Sequence, residues 1–385
     1  MGLKIGILGT RGIPNQYGGF EQVAEHLSIG LMKKGHDVMV YNSHKHPYQE
    51  KTWNGVPIIH CFDPEYLLGT AGQFIYDLNC IIDARKRNFD IILMLGYTSS
   101  SVWKILYPKK SLIISNMDGL EWNRAKYSNP VKKFLKYAEK LAVSGSHYHV
   151  ADSPVIKTYL DEKYQINSKY IAYGADLTED VGMNGLLEYN LKEREYFLLM
   201  ARMEPENNIE MLLDGFHMSK STKQFIVIGN TGNAFGKHLV HKYKDDQRIV
   251  FLGAIFDQHK LIGIVKYSAV YFHGHSVGGT NPSLLEAMAD GAFIAAHSNA
   301  FNKSILKENA LYFSDAKEVC AIIEQYKKLY NEDFIQNNYA RIKTDYTWEK
   351  IIGQYDHFFR ECYLAKKGQS YSAPVQLAEQ LVEVE

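Results

Sequence analysis

Short apolar runs and segments of helical spacing alternate along this chain, and the alternation runs twice, with a break between the two series. Leu3 to Leu8 is apolar enough for a buried strand, and Phe20, Val23, Ala24, Leu27 and Leu31 then recur at helical intervals until Gly35 supplies a stop signal. His36–Tyr41, Val56–Cys61, Asp90–Leu95, Ser111–Asn116, His147–Ala151 and Lys169–Ala172 continue the series as strands, with helical segments between them. Consecutive strands joined through helices run parallel, so the pattern predicts a doubly wound α/β sheet. Thr178 to Arg194 is polar and weakly patterned, which predicts a linker over 178–194. Beyond it Tyr196–Met200, Phe225–Gly229, Arg248–Leu252, Ala269–Phe272 and Ala292–Ala296 read as strands, with helices near Asn208, Phe235, Gln258, Pro282 and Lys317.

The predicted organisation is an N-terminal Rossmann-like domain over 1–177, the linker, a second Rossmann-like domain over 195–346, a helix over 347–365 and a mobile tail over 366–385. Thr347 is placed to cap the last helix, whose apolar residues Ile351, Ile352, Tyr355, Phe358 and Phe359 are expected to pack back toward the N-terminal domain. A length of 385 residues with 46% hydrophobic content supplies two cores. Lys+Arg and Asp+Glu are both 43, so overall charge gives no basis for wholesale nucleic-acid binding. Cys61, Cys80, Cys320 and Cys362 are scattered without a C-x-x-C pair, the pattern of reduced thiols in a cytoplasmic protein. The opening residues are interrupted too early for a signal peptide, and no uncharged apolar run approaches the roughly 18 to 20 residues of a membrane span. A soluble or peripheral protein is expected.

The most informative local stretch runs from His273 to Met288. A strand ending near Phe272 passes through a loop containing Gly278 and Gly279 into an amphipathic helix, leaving free backbone N–H groups at the helix start, where phosphate binds well. Glu286 follows one turn on, where a carboxylate repels phosphate but accepts hydrogen bonds from a sugar diol. Phosphate donors beside a diol acceptor point to a nucleotide or nucleotide-sugar site. In the first series, Gly18 and Gly19 open the first helix and present a similar glycine loop. The two loops are expected to face each other across an interdomain cleft.

A nicotinamide site fails on two counts: Ile7 stands where the first glycine of G-x-G-x-x-G belongs, and the second strand ends Tyr41-Asn42-Ser43 without a carboxylate. Arg202 follows the strand Tyr196–Met200, at the sheet edge where open α/β folds bind ligands. Its guanidinium suits a leaving diphosphate, although Glu204 and Glu206 are alternative partners.

Arg202-Met203-Glu204-Pro205-Glu206-Asn207-Asn208 and the Gly278–Glu286 loop resemble the nucleotide-binding half of retaining glycosyltransferases of family four, which have the two-domain GT-B fold with two parallel sheets facing a cleft. The segments Asn116 to Arg124 and Gly279 to Glu286 look more narrowly like a bacterial rhamnosyltransferase branch. The resemblance covers Leu3 to about Leu364. It implies that Glu286 binds the donor ribose, that Arg202 binds the diphosphate, and that Asn207, His275, Gly278, Gly279, Thr280 and Asn281 join Gly18 and Gly19 around the donor. Two positions depart from the wider family: Gly278 replaces an acid that contacts the donor sugar, and Asn207 replaces a lysine. Arg202 and backbone N–H groups are left as the main counter-charge.

Asp118, at the end of the strand Ser111–Asn116, stands where the wider family carries an active-site histidine, and it is a candidate catalytic residue or a turn former. Glu121, Trp122 and Arg124 are candidate acceptor-side residues, with Trp122 as a sugar-stacking platform or a core side chain. Asp152-Ser153 reads as the cap of the helix from Pro154. The paired histidines His44/His46, His147/His149 and His273/His275 lack an acidic or Cys partner at ligand spacing, so no metal is expected there, and the resemblance implies a reaction without a metal or other cofactor. Lysines between Lys104 and Lys140 outnumber acids and flank an apolar stripe of Val131, Phe134, Leu135, Ala138 and Leu141, a pattern compatible with an anionic membrane surface or with a solvated face. The resemblance implies transfer of a sugar, L-rhamnose from dTDP-rhamnose, to a lipid-diphosphate-linked saccharide in surface polysaccharide biosynthesis. A nucleotide-sugar epimerase of similar fold and a non-catalytic sugar-nucleotide-binding regulator are the alternatives.

Overall fold

The computed structural model describes residues 2–16, 18–117, 119–178, 182–255 and 257–369. Among the described residues fourteen strands form two sheets: β1 (Lys4–Leu8), β2 (Asp37–Ser43), β3 (Thr52–Trp53), β4 (Val56–Cys61), β5 (Ile91–Leu95), β6 (Leu112–Asn116), β7 (Tyr148–Ala151) and β8 (Lys169–Tyr170) in the first, then β9 (Tyr196–Met200), β10 (Gln224–Ile228), β11 (Ile249–Gly253), β12 (Val270–His273), β13 (Ile294–His297) and β14 (Leu311–Phe313) in the second. The strand orders are β3-β4-β2-β1-β5-β6-β7-β8 and β11-β10-β9-β12-β13-β14. All pairings are parallel except β3 with β4.

Every predicted strand is present within two residues of its expected ends. The sequence pattern did not reveal β3 or β14, because two or three residues are too few to show alternation. The stretch read as a linker is partly folded: the helix Asn184–Glu188 sits within it, and Leu186 and Leu191 are buried. Glu188 also pairs with Lys260 at 2.6 Å, which fixes this stretch to the helix Gln258–Lys266 of the second lobe.

The second lobe packs its sheet around an aromatic cluster in which Phe197, Phe225 and Phe272 from three adjacent strands meet at centroid distances of 5.6 to 6.4 Å. The chain returns to the first lobe where Ala175 N–H donates to the Tyr346 carbonyl at 2.7 Å. The last helix, Trp348–Lys366, is capped by Thr347 and lies on the helix Gly19–Lys33. Trp348 stacks on His26 at 4.2 Å, and His36 Nε2 meets Asp356 at 2.6 Å. Residues 370–385, most of the segment read as a tail, lie outside the described residues.

In each sheet the strand order reverses beside the strand that opens its unit. β1 lies between β2 and β5, and β9 lies between β10 and β12. Helices leave adjacent strands in opposite directions there, so a crevice opens at the carboxyl ends. Both predicted glycine loops leave from those ends.

Candidate active site

The loops after β9 and β12 are stitched to each other by the backbone. Asn208 Nδ2 donates to the Gly274 carbonyl at 2.8 Å, and Ser276 donates to the Glu206 carbonyl through both its backbone N–H and its hydroxyl, at 3.1 and 2.8 Å. A Cβ on Gly274 would stand 2.1 Å from the Asn207 carbonyl oxygen, so a larger residue is excluded. This joint forms the floor of the crevice. Arg202 stands exposed above it, and neither Glu204 nor Glu206 takes it: they pair instead with Lys126 and Arg124, at 3.6 and 3.4 Å. Asn207 is buried and donates to the Arg202 carbonyl at 2.8 Å. One N–H of its amide thereby fixes the backbone beneath the guanidinium.

His273 and His275 stack at 4.4 Å. His273 is fully buried, and neither of its ring nitrogens has a hydrogen-bond partner. Burial lowers its basicity far below that of an ordinary imidazole; burial, then the charges of Arg202 and Arg124, push His275 down to about 3. Both rings are therefore neutral at physiological pH, and the positive charge of the floor resides in arginine.

The helix Pro282–Ala289 starts at an Asn281 cap whose Oδ1 accepts from the Ser283 N–H and hydroxyl, at 3.0 and 2.8 Å. The Asn281 side-chain oxygen is thus occupied with the helix end. Gly278 has φ 134, in the region that favours glycine, and turns the loop toward the first lobe. Glu286 faces the cleft, where burial raises its carboxyl above the usual range. It accepts from Gln22 Nε2 across the cleft at 3.1 Å. Asp290, one turn further on, is pushed up to about 7, first by burial and then by Glu286.

The opposing wall is the start of the helix Gly19–Lys33, with Gly18 at its cap position. A Cβ on Gly19 would lie 3.4 Å from Pro282 and 3.5 Å from Tyr173, so the two glycine loops do meet across the cleft. The loop after β6 approaches from the side: a Cβ on Gly119 would be 2.7 Å from the Gly278 Cα. Asp118 lies outside the described residues. Arg124 binds Glu121 at 2.6 Å and reaches Glu206 at 3.4 Å, an ion pair joining the lobes. Trp122 donates to Glu139 Oε2 at 3.0 Å and carries Lys136 over its ring at 4.3 Å. That ring face is covered, so a sugar stacking there would first have to displace the lysine.

Gln22 and the buried Asp290 escaped the sequence reading, while Glu206 was read only as a partner of Arg202 and Asp152 only as part of a helix cap. Gln22 lies inside a regular helix and Asp290 just past the end of one, so no spacing marks them. Among the paired histidines, His44 accepts from the Asp63 N–H at 2.8 Å and His147 accepts from the Ile113 N–H at 3.0 Å, both fixing loops.

Residues 188–345 match the family described as glycosyl transferases group 1, and residues 3–176 match one described as a domain of unknown function, DUF1972. No curated protein sequence matches the chain. The structure is similar to that of sucrose-phosphate synthase from Thermosynechococcus elongatus, with a TM-score of 0.78 and 16% identity over 94% of this chain and 99% of that one. Anabaena HepE in complex with UDP-glucose gives a TM-score of 0.70 and 15% identity over 93% and 99% of the two chains. The catalytic domain of starch synthase IV from Arabidopsis thaliana, bound to ADP and acarbose, gives 0.72 and 12% over 94% and 100%. The chain has the GT-B fold of these proteins, and the match to glycosyl transferases group 1 is confined to residues 188–345.

Proposed function

We propose that this protein is a retaining glycosyltransferase that takes a nucleotide-sugar donor between its two lobes. The observation that carries the reading is the joint placement of Arg202, the Gly278–Asn281 loop and Glu286 at the β9/β12 crevice, opposite the Gly18-Gly19 loop. The donor ribose replaces Gln22 as the partner of Glu286, the diphosphate lies at the helix start under Arg202, and the sugar projects toward the first lobe. The leaving diphosphate is stabilised by arginine and backbone N–H groups, without a metal ion or other cofactor. Closure of the cleft excludes water, which would otherwise hydrolyse the donor. The UDP-glucose complex of HepE supports the class of donor.

The finer reading is transfer of L-rhamnose from dTDP-rhamnose to a lipid-diphosphate-linked saccharide during surface polysaccharide synthesis, by a cytoplasmic protein at the inner membrane face. Its support is the resemblance of the 116–124 and 279–286 segments and one surface of the first lobe. Tyr66, Leu67 and Leu68 are exposed on a short helix, and Val131 and Tyr137 are exposed on the lysine-rich helix Asn129–Gly145. Exposed apolar groups beside lysines suit an anionic bilayer. No described helix is long and apolar enough to cross a membrane.

The test is to incubate the purified protein with a panel of nucleotide sugars, then with a lipid-linked acceptor. Donor turnover that depends on acceptor supports transfer. Turnover without acceptor replaces the reading with an epimerase, and binding without turnover replaces it with a regulator.

A further inference from the structure

Asp152 is the first residue after β7, is 1% exposed, and lies at the interface between the lobes. It is not needed as a helix cap: Ser153 does that, its hydroxyl accepting from the Val155 N–H at 3.2 Å. Its carboxylate is pressed against the donor loop instead. A Cβ on Gly279 would stand 1.9 Å from Oδ1 and 2.1 Å from Oδ2, so only glycine at 279 lets the carboxylate reach the loop backbone. The next residue, Thr280, is buried and donates its hydroxyl to the Asp152 carbonyl. Two consecutive residues of the donor loop therefore meet this one residue of the opposite lobe.

The loop has a chemical shortage that Asp152 makes good. Gly278 and Gly279 offer backbone N–H donors and no side chain, the Thr280 hydroxyl donates to Asp152, and the Asn281 oxygen accepts from Ser283. N–H groups serve phosphate and sugar oxygens, but each sugar hydroxyl also carries a proton that needs an acceptor, and leaving a buried hydroxyl unpaired is costly. Burial at the loop also keeps water from competing with the carboxylate.

We propose that Asp152 accepts hydrogen bonds from hydroxyls of the transferred sugar, so that the sugar is read by a carboxylate from the N-terminal lobe facing a glycine loop of the C-terminal lobe. This rests on the nucleotide-sugar reading above. Recognition of the sugar is then coupled to closure, because the N–H donors and the carboxylate lie on different lobes. A nucleoside diphosphate without its sugar does not engage Asp152.

The test compares the isosteric Asp152→Asn with the wild type, using calorimetry with UDP, GDP and dTDP and with hexose esters of each. The readout is the ratio between the Kd of the bare nucleotide and that of its sugar ester. Asp152→Asn is expected to lower this ratio about 10- to 100-fold while the bare nucleotide binds unchanged, the scale for losing charge-assisted hydrogen bonds. Asp152→Ser, which removes the carboxylate and leaves space, should give the same loss, and thermal melts identify any folding defect. An unchanged ratio in either folded variant, a ratio near one in the wild type, or equal weakening of nucleotide and ester overturns the assignment. Glu286→Ala separates the two levels: it should weaken nucleotide and ester alike. If the wild type binds neither, the nucleotide-sugar reading itself is overturned, and this assignment with it.

Discussion

On the C-terminal wall of the cleft, His273 has no hydrogen-bond partner on either ring nitrogen, one Glu206 oxygen and one Asp290 oxygen are also unpartnered, and Arg202 stands exposed. On the N-terminal wall, Arg11 is bound to Glu65 at 2.8 Å, Glu121 to Arg124 at 2.6 Å, and Trp122 to Glu139 at 3.0 Å. Buried polar groups without partners cost stability, so a wall that keeps them is poised for something that satisfies them. On the N-terminal wall most such pairs are already made, with the buried Asn116 Oδ1 an exception. The contrast fits the proposed donor site, with most of its groups on the C-terminal lobe and Asp152 as the proposed contribution of the other.

Substitutions on the C-terminal wall should have the largest effects. Glu286→Ala and Arg202→Ala are each expected to lower sugar transfer about 100- to 1000-fold in folded protein, the scale for losing a group that stabilises the transition state. Rates within threefold of the wild type would remove these residues from the site. The exposed apolar face of the first lobe should respond next: Leu67→Asp together with Leu68→Asp should weaken cosedimentation with phosphatidylserine-containing vesicles more than tenfold, because charge replaces insertable apolar surface. Equal binding would detach the membrane from this face.

The pair that joins the walls offers a sharper test. Arg124→Ala leaves Glu206 buried beside an empty position and should cost about 2 kcal/mol in stability, measured by chemical denaturation. No loss would mean that the lobes close without this bridge.

Asp290 allows a test by pH. Its folded carboxyl, at about 7, is raised above the unfolded value near 3.8, so the folded state holds more protons between those values. Stability therefore falls as pH rises from about 4 to 7 and levels off above. Asp290→Asn should remove that slope, melting higher than the wild type at pH 8 and converging with it near pH 4. Parallel melting curves would place the carboxylate in a solvated setting. The smallest effect is expected from Trp122→Phe, which should change the acceptor KM less than threefold, since Lys136 already covers the indole. A tenfold rise would restore Trp122 to the acceptor site.

Strand and helix positions were legible almost throughout because burial writes periodicity into the chain: β9 (Tyr196–Met200) and β12 (Val270–His273) are apolar runs, and the helix after Pro282 carries its cap and its proline in order. That Arg202, Gly278, Gly279 and Glu286 fall at the ends of adjacent strands and in the helix that follows was legible for a related reason, since a strand end, glycines and a helix start mark the carboxyl edge of such a sheet. Local patterns of this kind depend on neighbours a few residues away, and the sequence displays those neighbours directly. The pairings of Glu286 with Gln22, Arg124 with Glu206 and Gly279 with Asp152 join residues 82 to 264 positions apart or on opposite lobes. No spacing encodes them, and each depends on how two separately folded sheets meet. Tertiary packing also gave residues partners that their types do not announce: Asn207 bonds the Arg202 carbonyl, Asn281 caps a helix, and Trp122 lies beneath a lysine. Residue type sets what a side chain can bond, and packing sets which partner reaches it first.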